Sequence, residues 1–218
     1  MKQNVVIILA SGSPRRRELL TQAGLEFQVI TSDVEEKTQF TKPWDVVLDL
    51  AKQKCDAVAA GFVGDSNYET LKLLLAENTG ILIVSADTVV SMDETILGKP
   101  ADAKDALRSL MSLSGRQHEV YTGVYCKVLQ YSSFQDALLE ADSFGFSSKT
   151  EVNMYPFDEY EALDYIATGE PMDKAGSYGI QGIGERLVES INGDYNNVVG
   201  FPLSRFMKEL AEREYIVY

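Results

Sequence analysis

The run Ala10-Ser11-Gly12-Ser13-Pro14-Arg15-Arg16-Arg17 puts two hydroxyls, a glycine and three guanidinium groups between an apolar stretch, Val5 to Ala10, and a helical pattern that stops at Gly24. Ser13 reads as a helix N-cap with Pro14 at the first helical position. Free backbone N–H groups, the positive end of a helix dipole and guanidinium forks then meet where a phosphate group would bind. The same residues also suit a helix that merely starts well. Asp87 and Thr88 stand between Ile81-Leu82-Ile83-Val84 and Val89-Val90. A carboxylate inside an apolar strand costs on the order of several kcal/mol unless it is paired, binds a metal or sits at the mouth of a site. It is therefore either a buried Asp satisfied by backbone donors or a lysine, or a base or metal ligand tuned by its surroundings. On a helical wheel Lys54 falls beside Val47 and Ala51 at the edge of an apolar stripe, with Lys52 on the other edge. Lys99 is held before Pro100 in a turn. Snorkelling accounts for a single helix-edge lysine; a constrained backbone makes Lys99 the better functional candidate. The segment Asp173 to Gly184 is rich in glycine and suits close backbone approach to a base or sugar.

Several chemistries are excluded by the same residues. Gly98-Lys99 is followed by Pro100 and has Asp93 where a phosphate-binding Walker loop needs glycine. Gly182-x-Gly184 meets Leu187 where a dinucleotide fingerprint needs a third glycine. With His118 as the sole histidine and no Gly-x-Ser-x-Gly elbow, a serine-triad hydrolase is a poor fit. Cys55 and Cys126 form no Cys-x-x-Cys, so any metal would be a hard cation held by carboxylates. Against 20 Lys and Arg stand 33 Asp and Glu, a net charge of −13. That disfavours a nucleic-acid partner but not a small anion. The acids crowd residues 135–170, whereas the first twenty residues are basic.

The elements that must position these residues alternate. Val5 to Ala10 reads as a buried strand, followed by the helix to Gly24 and a strand over Leu25, Phe27 and Val29. A second helix runs from about Pro43 with Trp44, Val47, Leu48, Ala51, Cys55 and Val58 on one face. Ile81 to Val90 is a strand. Ala103 to Met111 form a third helix ended by Ser114-Gly115. Val120 to Val128 alternate as another strand, Asp158 caps a helix with Glu161 three residues later, and a last helix begins near Pro202. The pattern predicts an α/β protein with a mixed sheet flanked by helices, in a single domain over residues 1–218 or two lobes sharing a core. Residues 61–80 are expected to form a surface insertion with a short helix around Tyr68, Leu71 and Leu75, and 132–148 to be the least regular part. No apolar run approaches the length of a membrane span, and cysteine usage points to a reducing, cytoplasmic location.

Taken together, these stretches resemble the Maf family of nucleoside triphosphate pyrophosphatases, relatives of the inosine triphosphate pyrophosphatase fold. The resemblance rests on Leu9 to Arg16, Glu35-Glu36, Ala51-Lys52-Gln53-Lys54, Ala86 to Val90, Gly98-Lys99-Pro100, Leu113-Ser114-Gly115-x-x-His118, Gly169 to Gly176, Tyr178 to Gly182 and Asn197 to Pro202. It implies two lobes around a cleft and cleavage of a nucleoside triphosphate to its monophosphate and pyrophosphate. Asp87 would be catalytic with Lys54 and Lys99, and Ser11, Ser13, Arg15 and Arg16 would lie near the phosphates. Glu36 and Asp87 would hold Mg²⁺ or Mn²⁺. Arg15, Thr88 and Gln181 match the branch acting on dTTP and UTP, and the family implies a homodimer. A nucleotide-binding regulator of cell division on the same scaffold is the alternative.

Overall fold

The computed structural model describes residues 3–63, 79–132 and 137–216. The chain runs β1 (Gln3–Leu9), α1 (Pro14–Gln22), β2 (Phe27–Val29), α2 (Pro43–Val63), β3 (Thr79–Met92), β4 (Thr95–Leu97), α3 (Ala103–Leu113), β5 (Gln117–Ser132), β6 (Ala137–Met154), α4 (Glu159–Ala167), β7 (Val188–Asn192), α5 (Tyr195–Val199), α6 (Leu203–Glu212) and β8 (Tyr215–Ile216), with three 3₁₀ segments between α4 and β7. The sheet is mixed, with the order β2-β1-β3-β5-β6-β7. β1 lies parallel to β2, β3 and β8, and the remaining pairs are antiparallel. Among the described residues no helix is long and apolar enough to cross a membrane.

Two-residue periodicity in β3 divides the core between the two faces of the sheet. Ile81 and Ile83 pack with Cys55, Val58, Ala59 and Phe62 of α2. Leu82, Val84 and Ala86 pack with Leu19 and Leu20 of α1 and Phe206 and Leu210 of α6. Further along the same strand Val90 and Met92 join a separate cluster with α3 and α4 through Ala106, Leu110, Leu113, Ala162 and Tyr165. Between these last two cores lies a polar seam. Thr88 faces Thr122 across the β3–β5 register, and their hydroxyls are 2.9 Å apart. Buried Asn197 of α5 donates to Thr150 Oγ1 on β6 at 3.1 Å. The expected two lobes are thus two apolar cores on one continuous sheet, parted by this seam.

The sheet also contains a gap. β1 pairs with β3 from Thr79 to Val84, and β4 pairs with it from Val90 to Met92. Among the described residues, no strand pairs with positions 85–89 on that edge. The gap opens beyond the carboxyl end of a parallel strand, beside the N-terminus of the next helix, where open α/β sheets place ligands. Asp87 and Thr88, on opposite faces of β3, both reach it.

Two expectations change. Within the described part of 132–148, Ser132 ends β5 and 137–148 form the first two-thirds of β6, paired with β5 except at a bulge beside Val128 and Leu129. Its acids hide the strand pattern because their partners are distant in sequence: Glu140 meets Lys127 at 2.9 Å and Asp142 accepts from the Tyr215 hydroxyl at 2.8 Å. In the 61–80 segment, 61–63 close α2 and 79–80 open β3. The expected helix around Tyr68 lies outside the described residues.

Candidate active site

The gap leads into a cavity of about 470 Å³, within the range of small-molecule sites. Its wall carries Ser11, Ser13, Arg15, Arg16, Lys54, Asp87, Thr88, Lys99 and Gln181. Glu36 is not part of that wall but is paired with Lys54, which is.

At the centre, Lys54 Nζ lies 2.6 Å from Asp87 Oδ1 and 3.0 Å from Glu36 Oε2. α2 can bring this ammonium to β3 because glycines face it. A Cβ on Gly123 of β5 would sit 2.5 Å from the Val47 carbonyl group, and one on Gly145 of β6 would sit 2.7 Å from Leu48. The buried Ser85 hydroxyl, on the same face as Asp87, donates to the Ala51 carbonyl at 2.6 Å and pins the turn preceding Lys54. Gln53 secures the segment carrying Glu36. It donates to the Lys37 carbonyl at 2.7 Å, and its own carbonyl accepts from the Lys37 amide at 3.3 Å.

Along the α1 side, Ser13 occupies the N-cap position, but its side chain makes no capping bond, and no acidic residue sits in the first turn. The positive helix end is therefore not neutralised from within. Arg16 commits three donors to the protein: Nε to the Gly200 carbonyl at 2.8 Å, Nη1 to Ser11 Oγ at 3.0 Å and Nη2 to Thr88 Oγ1 at 3.1 Å. Among the described residues, two of its five N–H groups stay uncommitted. Burial lowers the proton affinity of this guanidinium, against the opposing pull of the Asp87 carboxylate. Because Thr122 donates to the Asn197 carbonyl at 2.9 Å, Thr88 donates to Thr122 and accepts from Arg16, so the chain of hydroxyls has one direction. Arg15 is held loosely, 3.7 Å from the exposed Asp173. Lys99 forms no ion pair, and Gln181 no side-chain hydrogen bond, among the described residues.

Sequence reasoning assigned no role to Thr122, nor to Gln53 and Asn197, which it quoted only within longer matched blocks. Gly200, quoted only within a longer block, has φ of +120°, a backbone shape that turns its carbonyl to Arg16 and that side chains resist. Asn197 left only a weak signal, an amide directly before the apolar pair Val198-Val199.

Residues 6–213 match the family described as Maf-like protein. A dTTP/UTP pyrophosphatase of Agathobacter rectalis is 46% identical over 206 residues, covering 94% of this chain and 96% of that protein. Another from Bacillus thuringiensis subsp. konkukian is 43% identical over 208 residues, covering 94% of each. Among solved structures, a HAM1 protein from Coxiella burnetii aligns over 96% of this chain and 99% of that one, at 13% identity and a TM-score of 0.39, too distant for the two folds to be equated. The match across nearly the whole sequence, spanning every residue of the cavity, makes this chain a member of the Maf family.

Proposed function

We propose that this protein is a nucleoside triphosphate pyrophosphatase that cleaves the α–β anhydride of dTTP, UTP and modified pyrimidine nucleotides, releasing the monophosphate and pyrophosphate. The observation that carries the reading is a carboxylate and an ammonium 2.6 Å apart, beside a helix N-terminus free of acids, in a nucleotide-sized cavity. The dTTP/UTP pyrophosphatase name carried by both relatives supports the same reading.

In this reaction one Asp87 oxygen stays on Lys54 while the other accepts a proton from the attacking water. The water oxygen bonds to the α-phosphorus as the bond to the bridging oxygen breaks, and pyrophosphate leaves. Lys54, Lys99, Arg15 and the free N–H groups of Arg16 neutralise the charge that develops on the bridging oxygen and the departing group. Ser11, Ser13 and the first amides of α1 cradle the phosphates. Gln181 offers an amide donor and acceptor, which matches the O4 and N3–H edge of uracil or thymine; of the other two positions that match the dTTP/UTP branch, Thr88 holds Arg16 and Arg15 faces the phosphates.

Glu36 and Asp87 also suit a divalent cation. Both carboxylates meet at the Lys54 ammonium, and their oxygens not held by it, together with phosphate oxygens, are a hard donor set for Mg²⁺ or Mn²⁺. Once bound, the cation would polarise the phosphates and offset their charge.

A panel of normal and modified nucleoside triphosphates, scored for pyrophosphate in the presence of Mg²⁺, tests the proposal. Pyrophosphate from UTP and dTTP supports it. Tight nucleotide binding without pyrophosphate would instead favour the regulatory reading.

A further inference from the structure

Among the described residues the Gln181 side chain has no anchor of its own, yet the loop that carries it is fixed at both ends. Glu170, in the 3₁₀ segment Glu170–Asp173, accepts from the Ile183 amide through Oε2 and from the Gly184 amide through Oε1, each at 3.0 Å. Tyr165 of α4 donates its hydroxyl proton to Glu170 Oε1 at 2.9 Å, and its oxygen accepts from the Gly179 amide at 3.1 Å. Two side chains thus hold three amides, one before Gln181 and two after it. The ends of the loop touch so closely that a Cβ on Gly184 would lie 2.4 Å from both the Gly179 carbonyl oxygen and the Tyr165 hydroxyl. Burial pushes the Glu170 proton affinity up, but the two amides and the Tyr165 hydroxyl outweigh it, and the net direction is down. The same short segment reaches the other wall of the cavity. Lys174 donates to the Glu170 carbonyl at 2.6 Å and to Asp173 at 2.7 Å, and Asp173 faces Arg15.

We infer that Glu170, with Tyr165, is a positioning residue for base selection: the carboxylate clips the Gly179–Gly184 loop so that Gln181 meets the pyrimidine edge at a fixed height. The inference rests on the function proposed above. A clip that served stability alone would weaken every substrate equally when removed. One that acts through Gln181 lowers selectivity, because a misplaced amide leaves the base's donor and acceptor poorly matched.

The experiment measures kcat and KM for UTP and GTP with Mg²⁺ for the wild type, Glu170→Gln, Tyr165→Phe, Gln181→Ala and the Glu170→Gln/Gln181→Ala double variant, with thermal unfolding of each. Glu170→Gln sets an amide donor against the Ile183 or Gly184 N–H. The ratio of kcat/KM for UTP over GTP is expected to fall about tenfold in Glu170→Gln and in Gln181→Ala, chiefly through KM for UTP, with no further fall in the double variant. Tyr165→Phe, which keeps the carboxylate, is expected to lower it about threefold. An unchanged ratio in a folded variant, a parallel loss for UTP and GTP, or losses that multiply in the double variant would overturn the inference. Should Glu170→Gln not fold, Tyr165→Phe carries the same comparison. Should the wild type release no pyrophosphate, the proposed activity fails, and the ratio of Kd values for the two nucleotides across these variants still decides the role of the clip.

Discussion

Lys54 touches two carboxylates and Arg16 touches three acceptors, so neither cation is a free charge waiting for substrate. Each is set in place by the protein before any phosphate arrives, which is the arrangement electrostatic catalysis requires. Asp87→Asn keeps the shape and removes the proton acceptor; kcat is expected to fall at least about 10³-fold while the melting temperature stays close to the wild type, as read by pyrophosphate release and thermal unfolding. Arg16→Lys keeps the charge but cannot serve Gly200, Ser11 and Thr88 together; about a 10²-fold loss in kcat/KM is expected in the same assay. Asp87 was legible because a charge in an apolar strand has to be accounted for, and Lys54 because it rides the edge of a helical stripe. Thr122 and Asn197 were not. They are neutral, and what they do depends on a strand register and on contacts between residues 75 positions apart in the chain.

At the level of elements, the site depends on how closely α2 approaches the sheet. Gly123 and Gly145 remove the side chains that would hold the helix off, and Ser85 ties it down one turn before Lys54. Gly123→Ala must push Val47 and Leu48 outward, carrying Lys54 with them. The expected cost is about 1–3 kcal/mol of stability, with a fall in kcat/KM, checked by thermal unfolding and by steady-state assay. Helix and strand periods foretold α1, α2, α3 and α4 with small errors at their ends, and Asp158 caps α4 in a full capping box with Glu161. Strand β6 was hidden because the acids of its first part are matched by Lys127 and Tyr215 on other strands, which no local window reveals. The edge strand β7 and the 3₁₀ segments carried too little periodicity to be seen.

For the whole molecule, a polar seam between two cores on one sheet and a gap in that sheet's edge create the cleft. The sequence shows both cores as apolar alternation, but the seam reads only as scattered threonines until β3, β5 and β6 are aligned. One buried group reports on the integrity of the second core. His118, with Nε2 2.7 Å from the Tyr178 hydroxyl, has its pKa lowered by burial from 6.5 to about 4. The unfolded chain therefore takes up a proton between those values when the folded chain does not. The stability from this group is complete above pH 6.5 and is lost as the pH falls toward 4, by about 3 kcal/mol. Denaturant unfolding across that range should show the decline, and His118→Gln should flatten it. The central claim concerns the phosphorus that water attacks, and turnover of UTP with Mg²⁺ in ¹⁸O-labelled water reads it directly. The account predicts UMP carrying the label together with unlabelled pyrophosphate; label in the pyrophosphate, or UDP and inorganic phosphate as products, would contradict it.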